Sequence, residues 1–244
     1  MTTFDKLGLR INPDFVRTER SLVERARRIP VAVVGDVANR LQAFTAGFNH
    51  YGGRKTLAGP ALTVRVRPGD NLFLHKAIDL AQPGDVLVVD AGGGLNSAIV
   101  GGMMTNYAKS RGIEALVIDG AVRDVAELDA IDFPVVARGA TPNGPFKTGP
   151  GEIGYSIACG GLSFAPGDLL IGDPDGVLVV PREQVAAILG PAEDKYLTEQ
   201  TWEREIAQGT WDRRWVDETL AKAWARVAAP PARGGAAPPP NLGP

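Results

Sequence analysis

The sequence predicts an α/β protein with a helical C-terminal extension, and three observations carry that reading. Residues 86–90 (Val-Leu-Val-Val-Asp) and 115–120 (Ala-Leu-Val-Ile-Asp-Gly) are short continuous apolar runs, the pattern of strands buried on both faces. Between them lie Gly92-Gly93-Gly94 and a helix-compatible stretch closed by Gly112, so strand, glycine loop, helix and strand form one βαβ unit with parallel strands. Residues 181–228 then read as helical, interrupted at Gly209-Thr210.

The elements follow in order. Asn12-Pro13 has the form of a helix start, which predicts a helix from Pro13 to about Arg28, stopped by Ile29-Pro30. Apolar residues at 33, 34, 37, 38 and 41 predict a second short helix. Leu62, Val64 and Val66 alternate with Thr63, Arg65 and Arg67, a half-buried strand ended by Pro68-Gly69, and Asn71 is placed to cap a helix running to about Ala81. The central helix is expected over residues 98–111. A short helix over 125–130 and a strand over 133–137 complete the regular part. From Thr141 to Pro181 turn sequences recur, among them Pro142-Asn143-Gly144, Gly149-Pro150-Gly151 and Asp173-Pro174-Asp175-Gly176, and predict tight hairpins. Trp202, Trp211, Trp215 and Trp224 lie on a charged amphipathic background in the helical extension, suited either to packing on their own core or to covering a neighbouring subunit. The expected division is an α/β domain over residues 1–190, the extension over 191–229, and a disordered Pro/Gly-rich tail over 230–244.

Charge and composition exclude several functions. The formal net charge of −2 over 244 residues gives no dominant attraction to nucleic acid or anionic membrane. One cysteine excludes an internal disulfide, and two histidines far apart in sequence, His50 and His75, do not suggest a zinc cage. No apolar run reaches the roughly 18–20 residues of a membrane helix, and the N-terminal stretch has no signal-peptide pattern. The expectation is a cytoplasmic protein.

The glycine loop invites a dinucleotide reading, but the full G-x-G-x-x-G is absent, since Ser97 stands three after Gly94. Gly101 and Gly102, followed by Met103 and Met104, lie near the start of the central helix. Two glycines there cost about 1 kcal/mol each against alanine, so close packing or an anion at the free N–H groups must require them. Arg123-Asp124, just past the second buried strand, stands at the strand end where open α/β sheets place ligands. The arginine offers a fork for a carboxylate or an enolate oxygen, the aspartate can ligate a hard divalent cation, and Glu127 follows on the same helical face.

The run from Val88 to Leu128 resembles the core of the RraA-like proteins, which include the 4-hydroxy-4-methyl-2-oxoglutarate / 4-carboxy-4-hydroxy-2-oxoadipate aldolases. The pattern G-x20-R-D-x2-E/D is matched by Gly102, Arg123-Asp124 and Glu127, and the likeness extends over roughly residues 30–190, through Pro166–Pro181. The resemblance implies a swivelling β/β/α fold in homotrimers or hexamers with the site at a subunit interface, and a Mg²⁺ or Mn²⁺ ion held by Asp124. It implies that a 2-oxo acid places its carboxylate at the amides of Gly101, Gly102, Met103 and Met104, with Arg123 at the keto oxygen. Arg123, Asp124 and Glu127 are then the catalytic residues of a carbon–carbon lyase that releases pyruvate from short dicarboxylic 2-oxo acids. The aldolases carry Asp where this chain has Gly102, which puts oxaloacetate decarboxylation ahead of aldol cleavage. The family also contains a regulator that binds a ribonuclease, the alternative function. A methyltransferase, a label attached to such sequences, has only the glycine loop in its favour.

Overall fold

The computed structural model describes residues 5–228. An N-terminal ribbon of β1 (Asp5–Lys6) and β2 (Leu9–Ile11) leads to helices α1 (Arg20–Ala26) and α2 (Val31–Val37), then to β3 (Asn49–His50) and β4 (Leu57–Val66). The middle of the chain alternates: α3 (Leu72–Leu80), β5 (Val86–Val100), α4 (Gly102–Ser110), β6 (Ala115–Val122), α5 (Val125–Ala130) and β7 (Val135–Ala140). Short strands follow as β8 (Gly151–Ile153), β9 (Ile157–Cys159), β10 (Leu162–Phe164), β11 (Leu169–Asp173) and β12 (Gly176–Val180). Helices α6 (Val185–Gln208) and α7 (Arg214–Ala228) end the described chain.

The mixed α/β class expected from the sequence is what the chain adopts. Among the described residues, β1-β2-β8-β4-β5-β6-β7-β3 form one sheet, which β11 joins through β4 and β12 through β11. Strands β4, β5, β6 and β7 are parallel, as the βαβ reading requires. Period-2 alternation then sorts the side chains. Leu62, Val64, Leu87, Val89, Leu116 and Ile118 pack beneath α3 and α4, while Ala61, Val86, Val88, Ala115 and Val117 face β9, β10 and β12. A third cluster gathers α1, α2, the start of α6 and the outer faces of β11 and β12. Both faces of the parallel strands are therefore covered, which accounts for the continuous apolar runs.

Several boundaries differ from the sequence reading. Residues 12–19 are not helical; α1 begins only at Arg20. Their polar groups bond the sheet instead, with Asn12 N–H to the Ile153 carbonyl at 2.9 Å and Thr18 N–H and Oγ1 to the Gly167 carbonyl at 3.0 and 2.8 Å. Tertiary hydrogen bonds outweigh the local helix signal there. The glycine loop does not end β5. Gly92 and Gly93 take positive φ (+62° and +69°), the register shifts, and pairing with β6 continues at Gly94↔Gly120, Ala98↔Ala121 and Val100↔Val122. Helix α4 consequently starts at Gly102, not at 98. At the start of α3 the side chain that bonds the first turn is Asp70, whose Oδ1 accepts from Leu72 N–H at 3.0 Å, while Asn71 Nδ2 donates to the Ile99 carbonyl. The 125–130 helix, the closing glycine at 112 (φ +76°), the β9–β10 and β11–β12 hairpins, and the interruption at Gly209 (φ +69°) stand as expected.

The chain forms two compact units, Met1–Leu197 and Thr198–Pro244. The expected boundary at residue 190 falls inside α6, which runs on through Pro191. In the second unit the Trp202 and Trp211 rings approach to 6.4 Å between centroids, and Trp215 and Trp224 are exposed. The tail expected over 230–244 lies outside the described residues. No described helix is long and apolar enough to cross a membrane.

Candidate functional site

Two strand-to-helix turns lie side by side at the C-terminal ends of β5 and β6. Val100 and Val122 are in register, and Arg123 N–H donates to the Val100 carbonyl at 2.9 Å, so Gly101 and Arg123-Asp124 leave the sheet together. Asp124 sits in the left-handed region (φ +60°, ψ +40°). For a non-glycine residue that conformation is uncommon and strained, and aspartate is among the side chains that tolerate it. Its backbone carbonyl accepts from Leu128 N–H at 2.9 Å, and its Oδ2 accepts from Gly102 N–H at 3.1 Å. The Arg123 Nε stands 3.5 Å from the same Oδ2. Both side chains remain roughly two-fifths exposed, open to a ligand.

The two glycines let neighbouring side chains approach closely. A Cβ on Gly101 would overlap Asp124 Oδ2 and press on Arg123 Cγ at 3.0 Å. A Cβ on Gly102 would overlap the carboxyl group of Glu127, which also accepts a long hydrogen bond from Asn106 Nδ2 at 3.4 Å. The space that a side chain at 102 would fill is thus held by the Glu127 carboxylate. Gly102 N–H is committed to Asp124. Met103 and Met104, in the first turn of α4, precede the first bond from Thr105 N–H to the Gly101 carbonyl, at 3.1 Å. Met103 is 87% exposed, against the core role its side chain alone suggests, and Met104 packs on the main core.

Gly101, Met103, Met104, Arg123 and Asp124 line one side of a cleft of about 240 Å³. Glu127 and Gly102 are not among the lining residues. Asn71, His75 and Lys147 bring further polar groups to the wall, three residues that the sequence reading did not join to the site. Asn71 and His75 are four apart at the start of α3, a spacing that puts them on one face and was the available signal. Burial, and then the Lys147 cation, hold the His75 pKa below its ordinary value. Asn71 Oδ1 is buried with no hydrogen-bond partner. A larger groove elsewhere, about 390 Å³ and lined by Leu9, Ile11, Leu72 and Phe73, is almost wholly apolar, with Lys76 its one charged residue.

No group of three or more His, Cys, Asp or Glu side chains among the described residues is placed to hold a metal. Asp124 alone presents a carboxylate to the cleft. One hard, partly exposed oxygen donor suits Mg²⁺ or Mn²⁺, which keep most of their coordinated waters, and does not suit a closed zinc site.

The Aldolase/RraA model of the RraA-like family matches residues 31–179. The chain belongs to the RraA-like family. A Halalkalibacterium halodurans protein, provisionally named a 4-hydroxy-4-methyl-2-oxoglutarate aldolase, is 39% identical over 191 residues, 78% of this chain and 91% of that protein. Among solved structures, the RNA-processing inhibitor RraA from Thermus thermophilis superposes with a TM-score of 0.59 at 34% identity, over 62% of this chain and 92% of the other. An unusual member of the RNase ES inhibitor RraA protein family from Streptomyces coelicolor gives 0.70 at 28% identity, over 77% and 98%. This RraA-like chain is therefore similar both to a protein named for lyase chemistry and to proteins named for ribonuclease inhibition.

Proposed function

We propose that this RraA-like protein is a cytoplasmic, divalent-cation-dependent carbon–carbon lyase that releases pyruvate from short dicarboxylic 2-oxo acids. The observation that carries the proposal is the juxtaposition of Arg123-Asp124 with Gly101 and Gly102 at the twin strand ends. A lone regulator surface has no use for a strained aspartate and two glycines kept bare to receive carboxylates.

The substrate's C1 carboxylate meets the first-turn amides of Met103 and Met104, aided by the positive end of α4. The Arg123 guanidinium donates to the C2 oxygen, where negative charge develops as the bond β to the ketone breaks, and a donor aimed at developing charge lowers the barrier. A Mg²⁺ or Mn²⁺ ion held by Asp124 supplies Lewis-acid polarisation of the same 2-oxo group. Glu127, outside the cleft lining but held over Gly102, is the carboxylate assigned to accept a hydroxyl proton through an intervening water in retro-aldol cleavage. Oxaloacetate decarboxylation needs only the electron sink. Exposed Met103 and Phe146 beside the cleft favour its burial in a trimer or hexamer, which light scattering coupled to gel filtration measures directly.

Calorimetric titration with Mn²⁺ tests the site. One ion per chain for the wild type, lost in Asp124→Ala, is expected. The relatives named as RNA-processing inhibitors favour a second reading, a regulator that binds a ribonuclease. Absence of any cation binding by the wild type would favour that reading.

A further inference from the structure

The apolar groove of about 390 Å³ lies outside the cleft and is built by two elements, Leu9 and Ile11 from β2 and Leu72, Phe73 and Lys76 from α3. Leu9 and Leu72 are each 42% exposed, and Ile11 is only partly buried. Apolar side chains facing one another across an open channel mark a place that a further apolar group covers. The one cation of the lining, Lys76, favours an aromatic occupant, because the face of an aromatic ring attracts an ammonium.

The register of the N-terminal ribbon supplies such a group. Strand β1 pairs with β2 antiparallel as Asp5↔Arg10 and Lys6↔Leu9. One further step toward the N-terminus brings Phe4 opposite Ile11. Residues directly opposite in an antiparallel pair project from the same face, as do residues two apart along a strand. Phe4 thus falls on the face from which Leu9 and Ile11 line the groove. Residues 1–4, Met-Thr-Thr-Phe, lie outside the described residues, but Asp5 is already in the ribbon, so Phe4 needs no linker to reach Ile11.

We propose that Phe4 of the same chain occupies this groove and braces α3. Helix α3 has nine residues, and a helix that short depends on packing for its order. At about 100° per residue, Leu72, Phe73 and Lys76 sit on a face of α3 turned away from Asn71 and His75. The ring therefore supports from behind the helix that carries two residues of the cleft wall, whichever reaction the cleft performs.

The test places the photo-crosslinker p-benzoylphenylalanine at position 4 of the full chain. Irradiation is expected to join it to the peptide carrying Leu72–Lys76, with the product still running as a single chain on a denaturing gel. A product of two joined chains would assign the groove to a second copy and overturn the proposal. So would cross-links that miss α3. Phe4→Ala should lower Tm by about 2–6 °C and Phe4→Leu by less, as for partial loss of one buried aromatic side chain. Deuterium exchange of the amides over residues 72–80 should speed up about 3- to 10-fold in Phe4→Ala, since α3 loses a packing partner. Unchanged melting together with unchanged exchange would overturn the bracing role.

Discussion

Gly102 and Glu127 show how one missing Cβ can be a chemical feature. An alanine at 102 meets only the far end of a flexible side chain, which can swing away. Gly102→Ala is therefore expected to leave thermal stability within about 1 kcal/mol while displacing the carboxylate; turnover should drop on the order of 100-fold, the low end for a lost acid–base group. Unchanged turnover would show that the placement of Glu127 is incidental. The buried carboxylates make a second residue-level prediction. Burial pushes the Asp70 carboxyl up, but bonds from Thr148, Leu72 and Gly149 outweigh it and hold the pKa below the ordinary value. Arg10 does the same for Glu152, against burial, through bonds of 2.8 and 3.0 Å. Both folded-state values lie below the unfolded ones, so their stability is fully present above about pH 4–5 and is lost as pH falls through the folded values. Melting temperature followed from pH 6 to pH 2 should be flat and then decline, and Asp70→Asn should flatten the decline.

At the scale of elements, the parallel strands tolerate little. Gly59 in β4 lies so close to the Gly84 carbonyl that a Cβ would overlap it, and backbone cannot swing aside. Gly59→Ala should destabilise by roughly 1–3 kcal/mol, read as a lower denaturation midpoint with an unchanged slope. The elements also show what could be read in advance. The buried strands, α5 and the hairpins were legible because apolar runs and turn residues act locally. The stretch 12–19 was not, because bonds to Ile153 and Gly167, about 140–150 residues away, decide its conformation. The continuation of β5 past three glycines was hidden for the same reason, since pairing with β6 carries it to Val100. The site divides likewise. Arg123, Asp124 and Glu127 lie within five residues and could be named from spacing. Lys147 reaches the cleft only through the long-range clamp on Asp70, which no local pattern reports.

For the molecule as a whole, the site occupies the C-terminal ends of the parallel central strands of a mixed sheet, strands whose two faces are covered, leaving that end as the place where strand-terminal loops converge. The described part of the chain places Arg123, the Asp124 carboxylate, Lys147, His75 and free helix amides there, a set that stabilises an oxyanion and binds a carboxylate. The measurement closest to the central claim is pyruvate release from oxaloacetate with Mg²⁺ or Mn²⁺, set against a protein-free blank, because free metal decarboxylates oxaloacetate slowly. Wild-type release well above the blank, abolished by EDTA and reduced to the blank in Asp124→Ala, is the result expected. Release that persists in Asp124→Ala, or never exceeds the blank, would contradict the assignment of this site as a cation-dependent lyase centre.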